Sequence, residues 1–257
     1  MAAAERARSF GAIAESYDRL RPPPAPEAVD WLVPEGAQIA VDIAAGTGLM
    51  TRALVQRVPT VVAVEPDPRM RAVLAARSPQ VEVLDGTGES IPLPDASADA
   101  VFVSSAWHWL APDRAVPEIS RVLRDRGRLA VLWTSRDRDV PWVRDLDRRP
   151  GEPAWDESGE ARHRRRRAAG LASIRGFDGI EQVSFGYTRT MRVDDVVDMV
   201  ATYSAVITAD TDTRTALLDA TRARLDARFP GATEIGLPIR TWCFRADRVS
   251  RSDRVSR

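Results

Sequence analysis

The sequence is poor in several residue types that common functional sites require. Among its 257 residues it has no lysine, no asparagine, one cysteine and two histidines. A single cysteine, Cys243, excludes an internal disulfide framework, and the scarcity of cysteine and histidine together predicts no metal site. All 37 basic residues are arginine, and 37 acidic residues balance them to a formal net charge of zero. This balance predicts no partner among nucleic acids or anionic membrane surfaces.

Long apolar runs are absent as well. No stretch reaches the ~18 residues that a membrane span requires, and the charged, alanine-rich segment Met1–Arg8 lacks the apolar core of a signal peptide. We therefore expect a cytoplasmic protein without a membrane partner. Hydrophobic residues (44%) and charged residues (29%) have the proportions of an ordinary globular chain, long enough for one large α/β domain with a cap.

The most informative segment is residues 41–51, which read VDIAAGTGLMT. An apolar run, a turn of small residues and a helical pattern follow one another, which predicts a strand, a tight loop and a helix. Gly46 and Gly48 allow a sharp turn and a close approach to a ligand, because neither carries a Cβ atom. The next apolar run ends in Glu65, whose carboxylate can accept two hydrogen bonds from a ribose diol.

This loop differs from two well-known phosphate-binding loops. A P-loop requires a lysine, and the chain has none. The dinucleotide fingerprint requires a third glycine where Thr51 stands, so an NAD(P) oxidoreductase is the weaker alternative. What remains is Asp42 at the end of the first strand, followed by the two glycines and then by Glu65. Asp42 could also cap the turn that follows it.

Apolar strands alternate with helical patterns, which predicts a parallel sheet covered by helices on both faces. Residues 1–36 are expected to form an N-terminal helical cap segment, interrupted by prolines 22–24. The cofactor-binding core is expected over 37–135, with strands near 38–43, 60–65, 81–85, 99–104 and 128–134. The end of the core sheet is expected over 176–247, with a strand near 181–187, amphipathic helices near 193–208 and 212–228, and a last strand near 237–244.

Two segments have the composition of solvated chain. Residues 136–175 are rich in charge, proline and glycine, which predicts an exposed irregular insertion, and residues 248–257 predict a polar tail. The insertion contains the basic run Arg164–Arg167. We interpret this run as solvated, because no aromatic residues are interleaved with it as in a nucleic-acid groove. An anion or nucleic-acid contact is the alternative.

Several phrases along the chain resemble one enzyme family. They are the segment from Asp42 to Gly48, the N-terminal residues Tyr17-Asp18 and Arg21-Pro22, the segment Asp85–Asp95, and Ala106–Trp109 after the fourth strand. In spacing and order these phrases resemble the class I S-adenosylmethionine (SAM) dependent methyltransferases of the type 11 small-molecule group, and they are similar to the trans-aconitate methyltransferase branch.

The resemblance implies a fold, a cofactor and a set of binding residues. The fold is a Rossmann-like seven-stranded sheet with the last strand antiparallel, and a helical cap from the N-terminus and from an insertion between strands six and seven. The cofactor is SAM. The candidate cofactor-binding residues are Tyr17, Arg21, Asp42, Ala44, Gly46, Gly48, Glu65, Thr87, Gly88 and Ser104. Packing is the alternative role for Tyr17 and Arg21.

Two of these residues depart from the family pattern. Ala44 stands where the family usually has its first glycine, and its methyl group disfavours a positive φ. Thr87 stands where an acidic residue commonly meets the adenine amino group, and a threonine hydroxyl has a shorter reach.

In the chemistry that the resemblance implies, the cofactor supplies the reactive group. SAM carries an activated methyl group, so the protein aligns a nucleophile with it and excludes water. We predict methyl transfer to a small organic molecule, at oxygen, by in-line displacement. The absence of lysine and asparagine, whose codons are AT-rich, indicates a high-GC genome. Together with the resemblance to small-molecule methyltransferases, this predicts a role in secondary metabolism.

One catalytic residue is predicted. His108 follows the fourth strand, at the edge of the sheet where ligands bind, and an unperturbed imidazole with a pKa of ~6.5 can act as a base. The alternative is a histidine that packs beside Trp107 and Trp109 and shapes the pocket. Two other functions retain the fold: a non-methylating reaction, such as a cyclisation, in which SAM is an electrostatic element, and a non-catalytic binding protein.

Overall fold

The computed structural model describes residues 10–148, 171 and 174–250. Within them, seven strands form one sheet in the order β3-β2-β1-β4-β5-β7-β6. The strands are β1 (Ile39–Ile43), β2 (Thr60–Val64), β3 (Glu82–Leu84), β4 (Ala98–Ser104), β5 (Leu123–Arg136), β6 (Phe177–Arg192) and β7 (Glu234–Arg248). Neighbours among β1 to β5 are parallel, and β7 is antiparallel to β5 and β6. The predicted fold class, including the antiparallel last strand, is confirmed.

Helices cover the sheet and form the cap. They are α1 (Ala14–Leu20), α2 (Pro26–Leu32), α3 (Leu49–Leu54), α4 (Pro68–Arg77), α5 (Pro112–Val122), α6 (Pro141–Asp145), α7 (Val193–Ala201), α8 (Ser204–Ile207) and α9 (Thr211–Arg228). Two 3-10 helices, Phe10–Ile13 and Trp107–Trp109, complete the described elements. Prolines begin α2, α4, α5 and α6, where the missing amide proton has no helical partner to lose.

The strand order reverses at β1, which lies between β2 and β4. Strands β2 and β3 lie to one side of β1, and β4 and β5 lie to the other. In open sheets of this kind, ligands bind at the carboxyl ends of the strands where the order reverses. The residues that follow β1, β2 and β4 are therefore the candidates for a ligand-binding site.

The sheet buries apolar side chains on both faces, as its apolar strands predict. On one face, Val41 packs in a cluster with Ile119 of α5. On the other face, Phe102 packs in a cluster with Leu32 of α2 and Leu54 of α3. Each of these side chains is fully buried, and burial of such a side chain contributes about 1.5–3 kcal/mol to folding.

The cap has an apolar cluster of its own. Leu20 of α1 packs with Val143 of α6, with the apolar face of α7 and with Leu225 of α9. The N-terminal helix and the helices inserted between β6 and β7 therefore form one body. The helix expected over 193–208 ends at Ala201, and Thr202 and Tyr203 separate it from α8.

The first part of the segment expected to be an exposed insertion is instead packed into the protein. Strand β5 continues to Arg136, which is fully buried, and the side chains of Val143 and Leu146 are buried in and after α6. The composition misled the prediction because the arginines here pair with aspartates. Residues 149–170, with the Arg164–Arg167 run, lie outside the described residues.

The polar tail also begins later than expected. Arg248 is the last residue of β7 and is buried, and its guanidinium donates hydrogen bonds to the Leu123 carbonyl and to Asp125. Within the ranges given above, no helix is long and apolar enough to cross a membrane.

Candidate functional site

A cleft opens where the strand order reverses, at the carboxyl ends of β1 and β4. Its floor comes from the loops that follow these two strands, and one wall comes from the N-terminal segment that follows α1. The lining residues are Tyr17, Arg21, Pro22, Pro24, Ala44, Ala45, Gly46, Thr47, Leu49, Met50, Ser104, Ser105 and Thr134. The cleft thus brings together five predicted residues: Tyr17, Arg21, Ala44, Gly46 and Ser104.

The two loops that form the floor have strained backbones. Ala44 has a φ of 53° and Ser105 a φ of 56°, although neither is a glycine. A non-glycine residue in this region costs about 1–3 kcal/mol, and such strain clusters at functional sites. Sequence reasoning missed Ser105, whose only local signal was its place one residue after β4.

Gly46 presents bare backbone to the cleft. Its φ is 59°, and a Cβ atom built on it would have no heavy atom within 4 Å. The turn therefore needs glycine for its conformation, and the space beside Gly46 is open. The Gly-x-Gly pattern predicts such a sharp turn, and the close approach of a ligand to it stays a prediction.

Gly48 has a different environment. A Cβ atom on Gly48 would lie 2.8 Å from Cγ of Leu74. Gly48 also has a φ of 86° and precedes α3. The structure therefore gives Gly48 a role in close packing between the loop and α4, and it does not line the cleft.

Glu65 is held at the end of β2 by two backbone amides. Its Oε2 accepts a hydrogen bond from the amide of Gly46 at 2.9 Å, and its Oε1 accepts one from the amide of Asp67 at 2.9 Å. The residue is 6% exposed. Burial raises the pKa of the Glu65 carboxyl, and the two amide hydrogen bonds oppose that rise. Each carboxylate oxygen retains capacity for another donor.

Asp42 is a fully buried carboxyl beneath the same loop. Its Oδ2 accepts a hydrogen bond from the Thr51 hydroxyl at 2.6 Å, and its Oδ1 has no partner among the described residues. Burial raises the pKa of Asp42 to about 7, against the effect of the Thr51 hydrogen bond and with a further contribution from Glu65. Thr51, which replaces the third glycine of the dinucleotide fingerprint, is thus the partner of Asp42.

The turn after β3 places Thr87 and Gly88 apart from the cleft lining. Thr87 is exposed, and its hydroxyl accepts a hydrogen bond from the Glu89 amide at 3.3 Å. A Cβ atom on Gly88 would lie 2.8 Å from Cδ2 of Leu110, so this glycine permits close packing.

The N-terminal segment is fixed over the cleft by ionic contacts. Arg52 of α3 donates hydrogen bonds to Asp18 at 2.6 Å and to the Thr47 carbonyl at 2.9 Å, which ties α1 to the loop after β1. The Arg21 guanidinium lies 5.0 Å from the centre of the Tyr17 ring. Arg21 also donates a hydrogen bond to the Thr202 carbonyl at 2.9 Å, so it links this segment to the end of α7.

His108 lies on the 3-10 helix after β4, and the imidazole is exposed and is not part of the cleft lining. Its ring centre is 4.5 Å from that of Trp109. Trp107 is buried in the core under α5.

Among the described residues, no group of three or more histidine, cysteine, aspartate or glutamate side chains could hold a metal ion.

Several known proteins are similar to this chain in sequence. Residues 41–131 match the model of a family described as a methyltransferase domain. A Mycobacterium tuberculosis (strain H37Rv) protein named as an uncharacterized methyltransferase is 40% identical over 243 residues, which cover 93% of this chain and 95% of the relative. A Schizosaccharomyces pombe protein, also named as a methyltransferase, is 29% identical over 208 residues, covering 77% of this chain and 80% of the relative.

A solved structure extends the comparison to three dimensions. A candidate type II methyltransferase from Anaeromyxobacter dehalogenans matches with a TM-score of 0.66 and 26% identity, covering 89% of this chain and 97% of that chain. The similarities therefore include the cap as well as the sheet. Given 40% identity over nearly its full length, the chain belongs to the class I SAM-dependent methyltransferases.

Proposed function

We propose that this methyltransferase transfers the methyl group of SAM to an oxygen atom of a small organic molecule held in the cleft. The observation that carries the proposal is the arrangement around Gly46. Two buried carboxyl groups, Asp42 and Glu65, flank a glycine whose exposed face opens into the cleft.

The residues present fit an adenosyl cofactor. Glu65 keeps one acceptor site on each oxygen, which suits the two hydroxyls of a ribose. Oδ1 of Asp42 is buried without a partner, and such an atom costs about 1–3 kcal/mol unless a donor or an ordered water satisfies it. Arg21 and Tyr17 border the cleft at the opposite wall, where a carboxylate would meet a guanidinium.

When bound, SAM supplies an electrophilic methyl group on a positively charged sulfur. The chain itself binds the cofactor and the acceptor, orients them and excludes water. The backbone of residues 44–47 forms the floor, and Arg52 fixes α1 above it. Correct orientation of the reacting groups can account for ~7–11 kcal/mol of such a barrier.

Oxygen as the acceptor atom is supported by one further relative. A protein of Methylococcus capsulatus named malonyl-[acyl-carrier protein] O-methyltransferase is 34% identical over 146 residues, which span 48% of each chain. A carboxylate oxygen needs no base, whereas a hydroxyl acceptor does. For a hydroxyl acceptor we assign proton removal to His108. The relation to the trans-aconitate branch, a role in secondary metabolism and a cytoplasmic location remain predictions.

Two measurements test this function. Isothermal titration with SAM and with S-adenosylhomocysteine should give saturable binding, and no binding of either at high micromolar concentration would contradict the proposal. Incubation with methyl-labelled SAM and pooled small-molecule acceptors should yield a product heavier by one CH2 group. A converted product without that gain would instead support the non-methylating alternative.

A further inference from the structure

Strand β6 forms one edge of the sheet, and no strand among the described residues pairs with its outer side. A β-bulge separates Asp178 from Glu181 near the start of β6, but from Glu181 to Arg192 the pairing with β7 has no register shift. The strand at the opposite edge, β3, has only three residues. A long, regular edge leaves a row of backbone N–H and C=O groups open to a strand of another chain.

Strand β6 lacks features that commonly keep such an edge apart from other chains. It contains no proline, and its bulge lies at the start and leaves the rest of the strand regular. It also carries the two large apolar side chains that are exposed in the part of the chain that the structure describes, Ile180 (38% exposed) and Val183 (36% exposed). Apolar side chains on an open edge favour a protein partner over water.

The charges on β6 are complementary to those of a second, antiparallel copy of the strand. In a two-fold interface, residue i meets residue j and j meets i, so the axis passes between a residue and its own equivalent. With Phe185 on the axis, Glu181 of one copy lies directly opposite Arg189 of the other. With Ser184 or Gly186 on the axis, Glu181 meets no arginine. The distribution of charge therefore selects the register centred on Phe185.

The side chains near this axis suit the same register. Alternate residues of a strand share a face, so Val183, Phe185 and Tyr187 lie on one face of β6. In this register Val183 lies opposite Tyr187 of the second copy, and the two Phe185 side chains face each other. Aromatic pairs, pairs of an aromatic with a β-branched residue and pairs of opposite charge all stabilise antiparallel strands. Phe185 and Tyr187 already pack against the apolar cluster that contains Leu32, so the pairing joins the clusters of the two copies.

Arg189 and Glu181 each have capacity for this intermolecular contact. The Arg189 guanidinium donates hydrogen bonds to backbone carbonyls of residues 19–21, at 3.0 to 3.1 Å, and forms no ion pair within the described residues. Glu181 is exposed, and both of its hydrogen bonds from Arg245 go to Oε1, which leaves Oε2 available. A second copy would therefore supply the carboxylate that the charge of Arg189 lacks.

We propose that two copies of this chain pair through β6, antiparallel and centred on Phe185, so that their sheets join into one continuous sheet. The partner is a second copy of the same chain. Strands β5 and β7 separate β6 from β4, so this interface lies at a distance from the cleft at the ends of β1 and β4. The inference does not depend on the proposed function.

Sedimentation velocity of the full-length protein tests the pairing. Over a range of micromolar concentrations we expect a reversible dimer with twice the chain mass of 28.3 kDa. Glu181→Arg places two arginines opposite each other, and symmetry repeats this pair, so the dimer Kd should rise at least ~10-fold. Glu82→Arg is the matched control, because it makes the same charge reversal at an exposed position of β3, on the opposite edge of the sheet. This variant should dimerise as wild type does.

Cysteine cross-linking tests the register. The natural Cys243 is buried, so a cysteine introduced on β6 supplies the accessible thiol. Under a mild oxidant, Phe185→Cys should form a disulfide between copies, because the Cα atoms of directly opposite residues lie ~4.5–5.5 Å apart. Val183→Cys should not, because its two copies are offset by four residues, or about 13 Å along the strands.

A protein that stays monomeric over this range, or a dimer that tolerates Glu181→Arg as well as it tolerates Glu82→Arg, would overturn the inference. Cross-linking through Val183→Cys in preference to Phe185→Cys would overturn the register. A monomer whose β6 amides are nevertheless all protected from hydrogen exchange would show that the same chain covers the edge, which also refutes the pairing. If Glu181→Arg does not fold, the two cysteine variants decide, since neither alters a charge.

Discussion

The amide of Gly46 donates a hydrogen bond to Oε2 of Glu65 over 2.9 Å. This contact joins the loop after β1 to the end of β2. The other oxygen of the carboxylate accepts from the Asp67 amide, just before α4. The carboxylate is therefore fixed in orientation before any ligand arrives, which lowers the conformational entropy that the Glu65 side chain loses when a ligand binds.

The first prediction concerns Glu65→Gln. A glutamine keeps the size of the side chain but presents an NH2 group to one of the two amides and offers fewer acceptor sites to a ribose. Because a hydrogen bond to a charged group contributes about 1.5–3 kcal/mol, we expect SAM affinity to fall at least ~10-fold. Isothermal titration measures the change. Glu82→Gln, on the exposed side of β3, is the control and should bind as wild type does; equal affinities in the two variants would refute the role of Glu65.

The second prediction uses the contrast between Gly46 and Gly48. Alanine at either position has to adopt a positive φ, which costs about 1–2 kcal/mol. At Gly48 the new methyl group also meets Leu74 at 2.8 Å, and such overpacking adds about 1–3 kcal/mol. At Gly46 the methyl group enters the cleft without a clash.

We therefore expect Gly48→Ala to lose more stability and Gly46→Ala to lose more SAM affinity. Urea denaturation and calorimetric titration of the two purified variants measure these losses. The two variants serve as controls for each other, because both carry the same change in side chain and a similar backbone penalty. If both lose stability and affinity in equal proportion, the assignment of Gly46 to the ligand and Gly48 to packing is wrong.

The sequence was sufficient where the arrangement of residues depends on local pattern. The positions of Asp42, Gly46 and Glu65 around one loop were predictable because a strand end, a tight turn and the next strand end follow one another within 25 residues. Their part in cofactor binding stays a prediction. The antiparallel last strand came from the family resemblance, since no periodicity reveals strand direction.

The sequence was insufficient where burial depends on distant pairing. Arg136 lies in a charged stretch that resembles a surface loop, and only the fold brings Asp147 and Tyr203 around it. Likewise, the contact between Gly48 and Leu74 joins residues on different helical segments. Neither hydropathy nor spacing reports which charged residue will find a partner in three dimensions.

The third prediction concerns the pH dependence of stability. Burial raises the pKa of Asp42 from 3.8 to about 7 in the folded protein. The folded state thus binds this proton more tightly than the unfolded chain, so the contribution of Asp42 to the free energy of unfolding declines as pH rises through that range. Each pH unit inside it corresponds to at most about 1.4 kcal/mol.

Asp42→Asn removes this titration and keeps an acceptor for the Thr51 hydroxyl. Relative to wild type, the variant should therefore gain about 1–3 kcal/mol in free energy of unfolding between pH 5 and pH 8. Urea denaturation at the two pH values measures the difference. Asp178→Asn, at an exposed position of β6, should show no such gain. A constant difference between Asp42→Asn and wild type at both pH values would show that Asp42 is ionised throughout.

The last prediction concerns His108, an exposed imidazole whose ring centre lies 4.5 Å from that of Trp109. A general base contributes ~10²–10⁴-fold only when the acceptor has to lose a proton. Carboxylates are already deprotonated at neutral pH, whereas phenols are not. We therefore expect His108→Gln to reduce kcat/KM by at least ~100-fold for a phenol acceptor and to remove one limb of the pH profile for that acceptor.

With a carboxylate acceptor, the same variant should be as active as wild type, because no proton is transferred. Trp109→Phe controls for the loss of ring packing, since it keeps an aromatic neighbour for the imidazole and should retain the pH limb. A loss of equal size with both kinds of acceptor would make His108 a structural residue, and no loss with a phenol would exclude it as the base. The comparison of the two acceptor types therefore also indicates whether the methyl group goes to a carboxylate oxygen or to a hydroxyl oxygen.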